Sequence, residues 1–162
     1  MSSTAEVQKV RDLMEDSGRI VMLTSVDHAA GRLVSRPMAV QEIDDDGTVW
    51  FFASDASPKA DELTKDPTVN IAFSSRSSWV SLAGSASIVH DRQKIVELWS
   101  PGAESWFPDV PDSPYVGRLR IDPDSAEYWD TPGGRVSAVL AYGKSKITGE
   151  RPNIGESNVV EL

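Results

Sequence analysis

The chain has no cysteine and only two histidines among its 162 residues. The first absence removes disulfide staples, thiolate metal sites and a thiol nucleophile, and it fits a reducing compartment. The second leaves little material for a histidine-based centre. His28 and His90 each sit beside an aspartate at a turn or strand end, at no spacing that suggests a metal pair or a Ser-His-Asp triad, so they read as surface residues. No apolar run approaches the ~20 residues needed to span a bilayer. The opening "MSSTAEVQKVRDLMEDSGR" scatters charges of both signs where a secretory signal needs an apolar stretch, and a cytoplasmic protein is expected. Basic residues are outnumbered 16 to 25, for a formal charge of −9 and a pI near 4.6. Such a surface repels nucleic acid and anionic membranes unless its cations are strongly clustered. A small phosphorylated ligand remains open, provided two or three cations gather in one pocket.

The length suits one domain over residues 1–162, and 40% hydrophobic with 25% charged residues is ordinary for a globular chain. Val7, Val10, Leu13 and Met14 recur at helical spacing over 4–17, with Ser3 or Thr4 to cap and Gly18 to terminate. Residues 19–26 and 32–40 read as a hairpin around "DHAAG". "IDDDG" makes a turn into "TVWFFA", a strand apolar on both faces; its three consecutive acids point different ways and lack a calcium-loop pattern, so they read as a solvated turn. A helix at 57–65, "TVNIAFSS", and a long strand at 78–89 with Gly84 as a bulge follow. Asp91 caps a short helix through Leu98. "SPGAESWFPDVPDSPY" reads as an irregular Pro-rich stretch, "VGRLRID" and "SAEYWDT" as two separate strands, and 144–162 as a polar C-terminal arm that packs on a neighbour or frays. Strands in meander order with helices only in connections predict a mainly β fold, an antiparallel barrel with peripheral helices, whose closure would remove sheet edges.

Two stretches carry chemistry. In "SPKADEL", Ser57 reads as a helix N-cap and Pro58 as the first helical residue. Lys59 then puts a cation where the helix dipole and free N–H groups favour an anion. Hydroxyl, N–H groups and ammonium together suit a phosphate; the competing reading is a surface pair of Lys59 with Asp55 or Asp61. In "LVSRPMAV", a strand would align Val34, Arg36, Met38 and Val40 on one face, placing a guanidinium in an apolar row. Its partner is a bidentate anion such as phosphate, or a carboxylate, unless the side chain snorkels to the rim. Pro37 cannot donate to a ladder and marks an edge, bulge or cleft wall, where unpaired backbone groups could bond the rim of a heterocycle. A strand, turn, strand, helix path brings Arg36 and Lys59 together if the two strands are neighbours. Trp99, Trp106 and Phe107 flank the Pro-rich stretch and read as core or interface packing.

With "SRPM", "WFFAS" followed by "SPKADEL", "SWVSLAGSASIV", "AEYWDTPGG" and a "GESNVVEL" tail, the chain resembles the general stress protein 26 family. That family is a branch of the pyridoxamine phosphate oxidase-like flavin-binding split barrels, and the resemblance runs over nearly the whole chain. It implies an FMN-binding split β-barrel, a homodimer with two flavin sites at the subunit interface. Carried over by position, Arg36, Ser57 and Lys59 would hold the flavin phosphate. Pro37, Met38, Ala39, Val40 and Gln41, with Phe52 and Ala53, would line the ribityl chain and isoalloxazine, largely through backbone atoms. Trp79 and Trp129 match positions that reach the flavin from the partner subunit, and Trp99, Trp106 and Phe107 have the alternative role of roofing its reactive face. There are departures. Where the oxidases carry an Arg-x-His-x-Arg substrate clamp this chain has Arg135 alone, which argues against pyridoxamine phosphate oxidation. Gln41 and Pro58 replace a lysine and an arginine of the oxidases, which implies weaker phosphate binding. The implied activity is electron or hydride transfer through FMN, with FAD possible in its place. The alternatives are a non-catalytic flavin-binding or buffering protein and a deazaflavin-dependent reductase. No side chain reads as a general acid or base.

Overall fold

The computed structural model describes residues 3–55, 57–107, 114–131 and 156–162, together with Gly149. Helix α1 (Thr4–Asp16) starts in a capping box: the Ser3 hydroxyl accepts from the Glu6 N–H and the Glu6 carboxylate accepts from the Ser3 N–H, so two otherwise orphaned donors are satisfied reciprocally. Val10, Leu13 and Met14 are its buried face. The helix ends on Ser17, in extended backbone, whose hydroxyl donates to the Met14 carbonyl at 2.7 Å; Ser17, not the expected Gly18, is the terminator.

Strands β1 (Ile20–Asp27) and β2 (Arg32–Ala39) form the expected hairpin, turning at Gly31 with a φ of +64°. Then come β3 (Glu42–Ile43), β4 (Val49–Ser54), helix α2 (Pro58–Lys65), β5 (Thr68–Ser74), β6 (Ser78–Val89), helices α3 (Arg92–Leu98) and α4 (Pro101–Trp106), β7 (Val116–Asp130) and β8 (Glu156–Glu161). All strands join one antiparallel sheet in the order β2-β1-β5-β6-β7-β4-β3, with β8 on β7. Among the described residues no helix is long and apolar enough to cross a membrane.

The sheet does not close. β2 and β3 are its two ends, and the chain itself joins them. The Val40 N–H bonds to the Arg19 carbonyl and the next N–H, of Gln41, to the Trp50 carbonyl, both at 2.8 Å. Antiparallel alternation from the Val40 bond puts the nitrogen of Pro37 on the free side of β2, where its missing N–H costs no ladder bond. The arrangement is a split barrel, and the expected closure is replaced by this crossing.

Three further expectations are corrected. The two strands foreseen in 116–131 are one 15-residue strand, β7. Pro123 looks like a break, but the register moves from Ala83↔Ser125 to Gly84↔Pro123, so Asp124 is an extra residue that absorbs it. The irregularity foreseen at Gly84 is thus there, with the additional residue on β7. The C-terminal arm ends in β8, with Val160 fully buried and Leu162 donating its N–H to the carbonyl of Asp124; a free strand edge on the C-terminal half of β7 gives the tail its backbone partners. The rest of the arm, apart from Gly149, lies outside the described residues. In the Pro-rich stretch Ser100 caps α4 by accepting from the Ala103 N–H; residues 108–113 lie outside the description.

Alternation along β4 divides the interior. Val49, Phe51 and Ala53 enter the main core with Leu23, Ile71, Phe73, Leu82, Leu119 and Ile121. Phe52 enters a second core with Ile95, Ala103 and Val116, against Leu98, Trp99 and Phe107. Trp50 lies under the buried Arg118 guanidinium at 4.1 Å and donates to Asp44 at 2.8 Å. The acids of the 44–46 turn thus have separate tasks, since Asp45 pairs with Arg11 and Asp46 accepts the Thr48 N–H.

Both histidines are about half exposed, and each donates to a distant aspartate: His28 to Asp66, just beyond α2, and His90 to Asp55, just before it. Asp66 also accepts the Thr68 N–H, and this bond, then the Thr68 side chain and His28, pulls its carboxyl down to about 2 from 3.8. A depressed carboxylate contributes stability above its unfolded value, lost as pH falls from about 3.8 towards about 2. Urea midpoints measured from pH 5 to pH 2 will therefore fall less steeply in Asp66→Asn than in the parent; parallel profiles would refute this.

Candidate functional site

β1, β2 and α2 meet around a small group of polar side chains. On β2, Val34, Arg36 and Met38 are half-buried and Val40 buried, whereas Leu33, Ser35, Pro37 and Ala39 are exposed. The predicted one-sided row is therefore present, with Arg36 in it. On α2, Ser57 is the N-cap and Pro58 the first residue, and the Ser57 hydroxyl accepts from the Ala60 N–H at 3.3 Å. Ala60 and Leu63 bury the helix against the body of the protein, which carries Lys59 and Glu62 inward on one flank, three residues apart.

Lys59 and Arg36 come together. The Lys59 ammonium reaches the sulfur of Met38 at 3.2 Å, and Met38 shares its strand face with Arg36. Among the described residues Lys59 forms no salt bridge, so neither the Asp55 nor the Asp61 pairing is made. Burial pushes its ammonium down to about 8, Arg36 adds repulsion, and Glu62 opposes the shift without forming a hydrogen bond to it. Arg36 donates to the Glu62 carboxylate at 2.9 Å, and the same oxygen accepts from the Ser25 hydroxyl at 3.3 Å. Arg36 is thus partly neutralised within the protein, as one of its foreseen alternatives had it. Lys59 remains a desolvated cation lacking an anionic hydrogen-bond partner among the described residues.

The other predicted positions divide. Ala39 and Pro37 are exposed at the edge of β2, Val40 is in the main core, and Gln41 bonds β4 through its backbone while its buried side-chain oxygen has no partner among the described residues. Ala53 is buried in the main core. The Phe52 ring packs on Trp99 and Phe107, with centroids at 5.5 and 6.1 Å, so any contact with a ligand at Arg36 falls to its backbone. Trp99 and Phe107 are packing residues of the second core, in keeping with the first of their two readings. Trp79 and Trp129 stand directly opposite each other on β6 and β7, 47% and 39% exposed on the outer sheet face. Arg135 lies outside the described residues. Sequence reasoning missed Glu62 and Ser25. Glu62 had a signal in the i, i+3 spacing from Lys59 on a recognised helix; Ser25, one hydroxyl in a β-strand, had none.

Comparison with known proteins agrees with this architecture. The family model for pyridoxamine 5'-phosphate oxidase-like proteins matches residues 5–153. Protein bli-3 of Neurospora crassa is 31% identical, over 92% of this chain and 78% of its own length. A general stress protein 26 from Jannaschia sp. CCS1, known as a crystal structure, is 28% identical with a TM-score of 0.77, covering 99% of this chain and 100% of its own. The general stress FMN/FAD binding protein from Xanthomonas citri is 30% identical with a TM-score of 0.61, covering 78% of this chain and 89% of its own. With a split barrel built from these strands and a family match over nearly all of the chain, this protein belongs to the pyridoxamine 5'-phosphate oxidase-like family, alongside the general stress proteins.

Proposed function

We propose that the chain binds FMN, as a homodimer, and transfers electrons or a hydride through it. The observation that carries this reading is Lys59: a lysine driven out of water beside an arginine, with no carboxylate at hydrogen-bond distance among the described residues, is an unfavourable arrangement that a bound phosphate would relieve. Arg36 and the first turn of α2, capped by Ser57, would complete the phosphate contacts. The exposed backbone of Pro37 and Ala39, with Met38, Val40, Gln41, Phe52 and Ala53 behind it, would line the rest of the ligand. When bound, a flavin supplies redox chemistry that no side chain here possesses. The protein's share is placement, charge and exclusion of water. The relative from Xanthomonas citri, named for FMN/FAD binding, supports the cofactor class.

The outer sheet face supports the dimer. Ile20, Met22, Leu33, Trp79, Trp129 and Val159 are all exposed, more apolar surface than a lone sheet face usually leaves in water. A second copy covering it would bring its Trp79 and Trp129 to the partner's flavin, the role assigned to them by resemblance. An absorption spectrum of protein purified without added cofactor tests the reading. Bands of oxidised flavin are expected, with Arg36→Ala losing them and with bound flavin bleached by a reduced nicotinamide and recovered by an acceptor. Stable binding with no turnover would leave a flavin-binding protein and remove the enzyme. A colourless protein that takes up no added FMN would refute the site.

A further inference from the structure

Glu62 belongs to no phosphate-binding pattern, yet it occupies the centre of the group. One oxygen of its carboxylate accepts from both the buried Ser25 hydroxyl and Arg36, and its side chain is only 19% exposed. An anion therefore already sits on one of the two cations that a phosphate would use. Formal charges at the site sum to +1, from Arg36, Lys59 and Glu62, where Arg36 and Lys59 alone would make +2.

We propose that Glu62 is a specificity-determining residue: an internal anion on Arg36 that weakens binding of a doubly charged phosphate monoester and favours a singly charged phosphodiester. This rests on the flavin reading above. A terminal phosphate such as that of FMN carries about −1.5 to −2 at pH 7. To reach Arg36 it must share the guanidinium with the carboxylate, and two anions a few ångströms apart repel each other. In a dinucleotide such as FAD the charge of −2 is spread over two phosphates, so the one that reaches Arg36 brings a single charge next to Glu62 and the other stands further along the ligand. Glu62 thus narrows the advantage of FMN over FAD. A guanidinium held in place by a carboxylate also stays oriented when no ligand is bound, so Glu62 prepares Arg36 while competing for it.

The test is to titrate FMN, FAD and riboflavin into the parent protein, Glu62→Gln and Glu62→Ala, following flavin fluorescence. Glutamine keeps an oxygen for Ser25 and Arg36 and removes only the charge. Alanine removes both, so the pair guards against an effect of lost packing. Both variants should bind FMN about tenfold more tightly, the effect of removing one charge–charge repulsion across partly hydrated protein. The gain for FAD should be about threefold or less, and riboflavin, without a phosphate, should not change. FMN affinity that is unchanged or weaker in both variants, or an equal gain for riboflavin, would overturn the proposal. If the parent binds FMN and Lys59→Met loses it while neither Glu62 variant gains, the proposal fails and the flavin site stands. If neither the parent nor the variants take up any flavin, both fail.

Discussion

On the proposed flavin site, replacing Lys59 with methionine should weaken FMN binding by about 10- to 100-fold and, in the same variant, stabilise the ligand-free protein by about 1–3 kcal/mol at pH 7. The two effects have one cause. Burial holds the Lys59 ammonium at about 8, down from 10.5, with Arg36 contributing and only Glu62 opposing. Between those values the unfolded chain holds a proton that the folded chain has released, so stability rises with pH across that window. At pH 7, below it, the folded protein bears the whole cost of a charged group removed from water. Methionine has a similar length and no charge, and it would pack beside the sulfur of Met38, which the ammonium already touches. Urea unfolding and flavin titration on the same samples decide the matter. A less stable variant with undiminished FMN affinity would show that Lys59 is a packing residue. In the parent, the proposed FMN affinity should fall as pH rises through about 8, because the ammonium that would face the phosphate is being neutralised. The stability of the ligand-free protein should rise over the same range. Opposite slopes for folding and binding are what a functional charge in a costly place produces.

The second large effect is expected at Gly84. A Cβ there would lie 2.3 Å from the Asp122 carbonyl oxygen, 3.1 Å from its carbon and 3.2 Å from the Pro123 Cα. All three are backbone atoms, so no side chain can swing aside. The contact falls where β6 and β7 change register, in the middle of the sheet. Gly84→Ala must push the strands apart, and a loss of about 2–4 kcal/mol follows, with a fall in Tm of roughly 5–15 °C. Gly18→Ala is the control, since a Cβ at Gly18 meets nothing within 4 Å; its melting temperature should stay within about 2 °C of the parent's. If Gly84→Ala melts with the control, the strands yield more readily than their packing implies.

Local signals proved readable where one short stretch contains both the group and its partner. Ser3, one of two candidate caps, Ser57 with Pro58, and Asp91 before α3 all start helices where side-chain oxygens can satisfy the first free N–H groups. The apolar row containing Arg36 was readable because the two-residue period of a strand assigns faces without knowledge of neighbours. Pro123 misled for the converse reason. Its effect on a strand depends on what lies across the ladder, and Gly84, distant in sequence, supplies the room. The C-terminal tail misled similarly, because a polar hexapeptide becomes a strand once β7 offers it an edge.

By itself the sequence determined α1, the β1–β2 hairpin, β4, α2, β5, β6 and α3, and the side of β2 on which Arg36 would stand, since caps, turns and periodicity act over a few residues. It also singled out Arg36, in an apolar row, and Lys59, at the start of α2, as the cations where an anion would be expected. Only the tertiary structure decided that Arg36 is shared with Glu62 while Lys59 is left with a methionine sulfur. Only it decided that the barrel stays split at Val40 and Gln41. Both outcomes depend on which backbone and side-chain groups meet across large sequence separations, and on how much water is excluded where they meet.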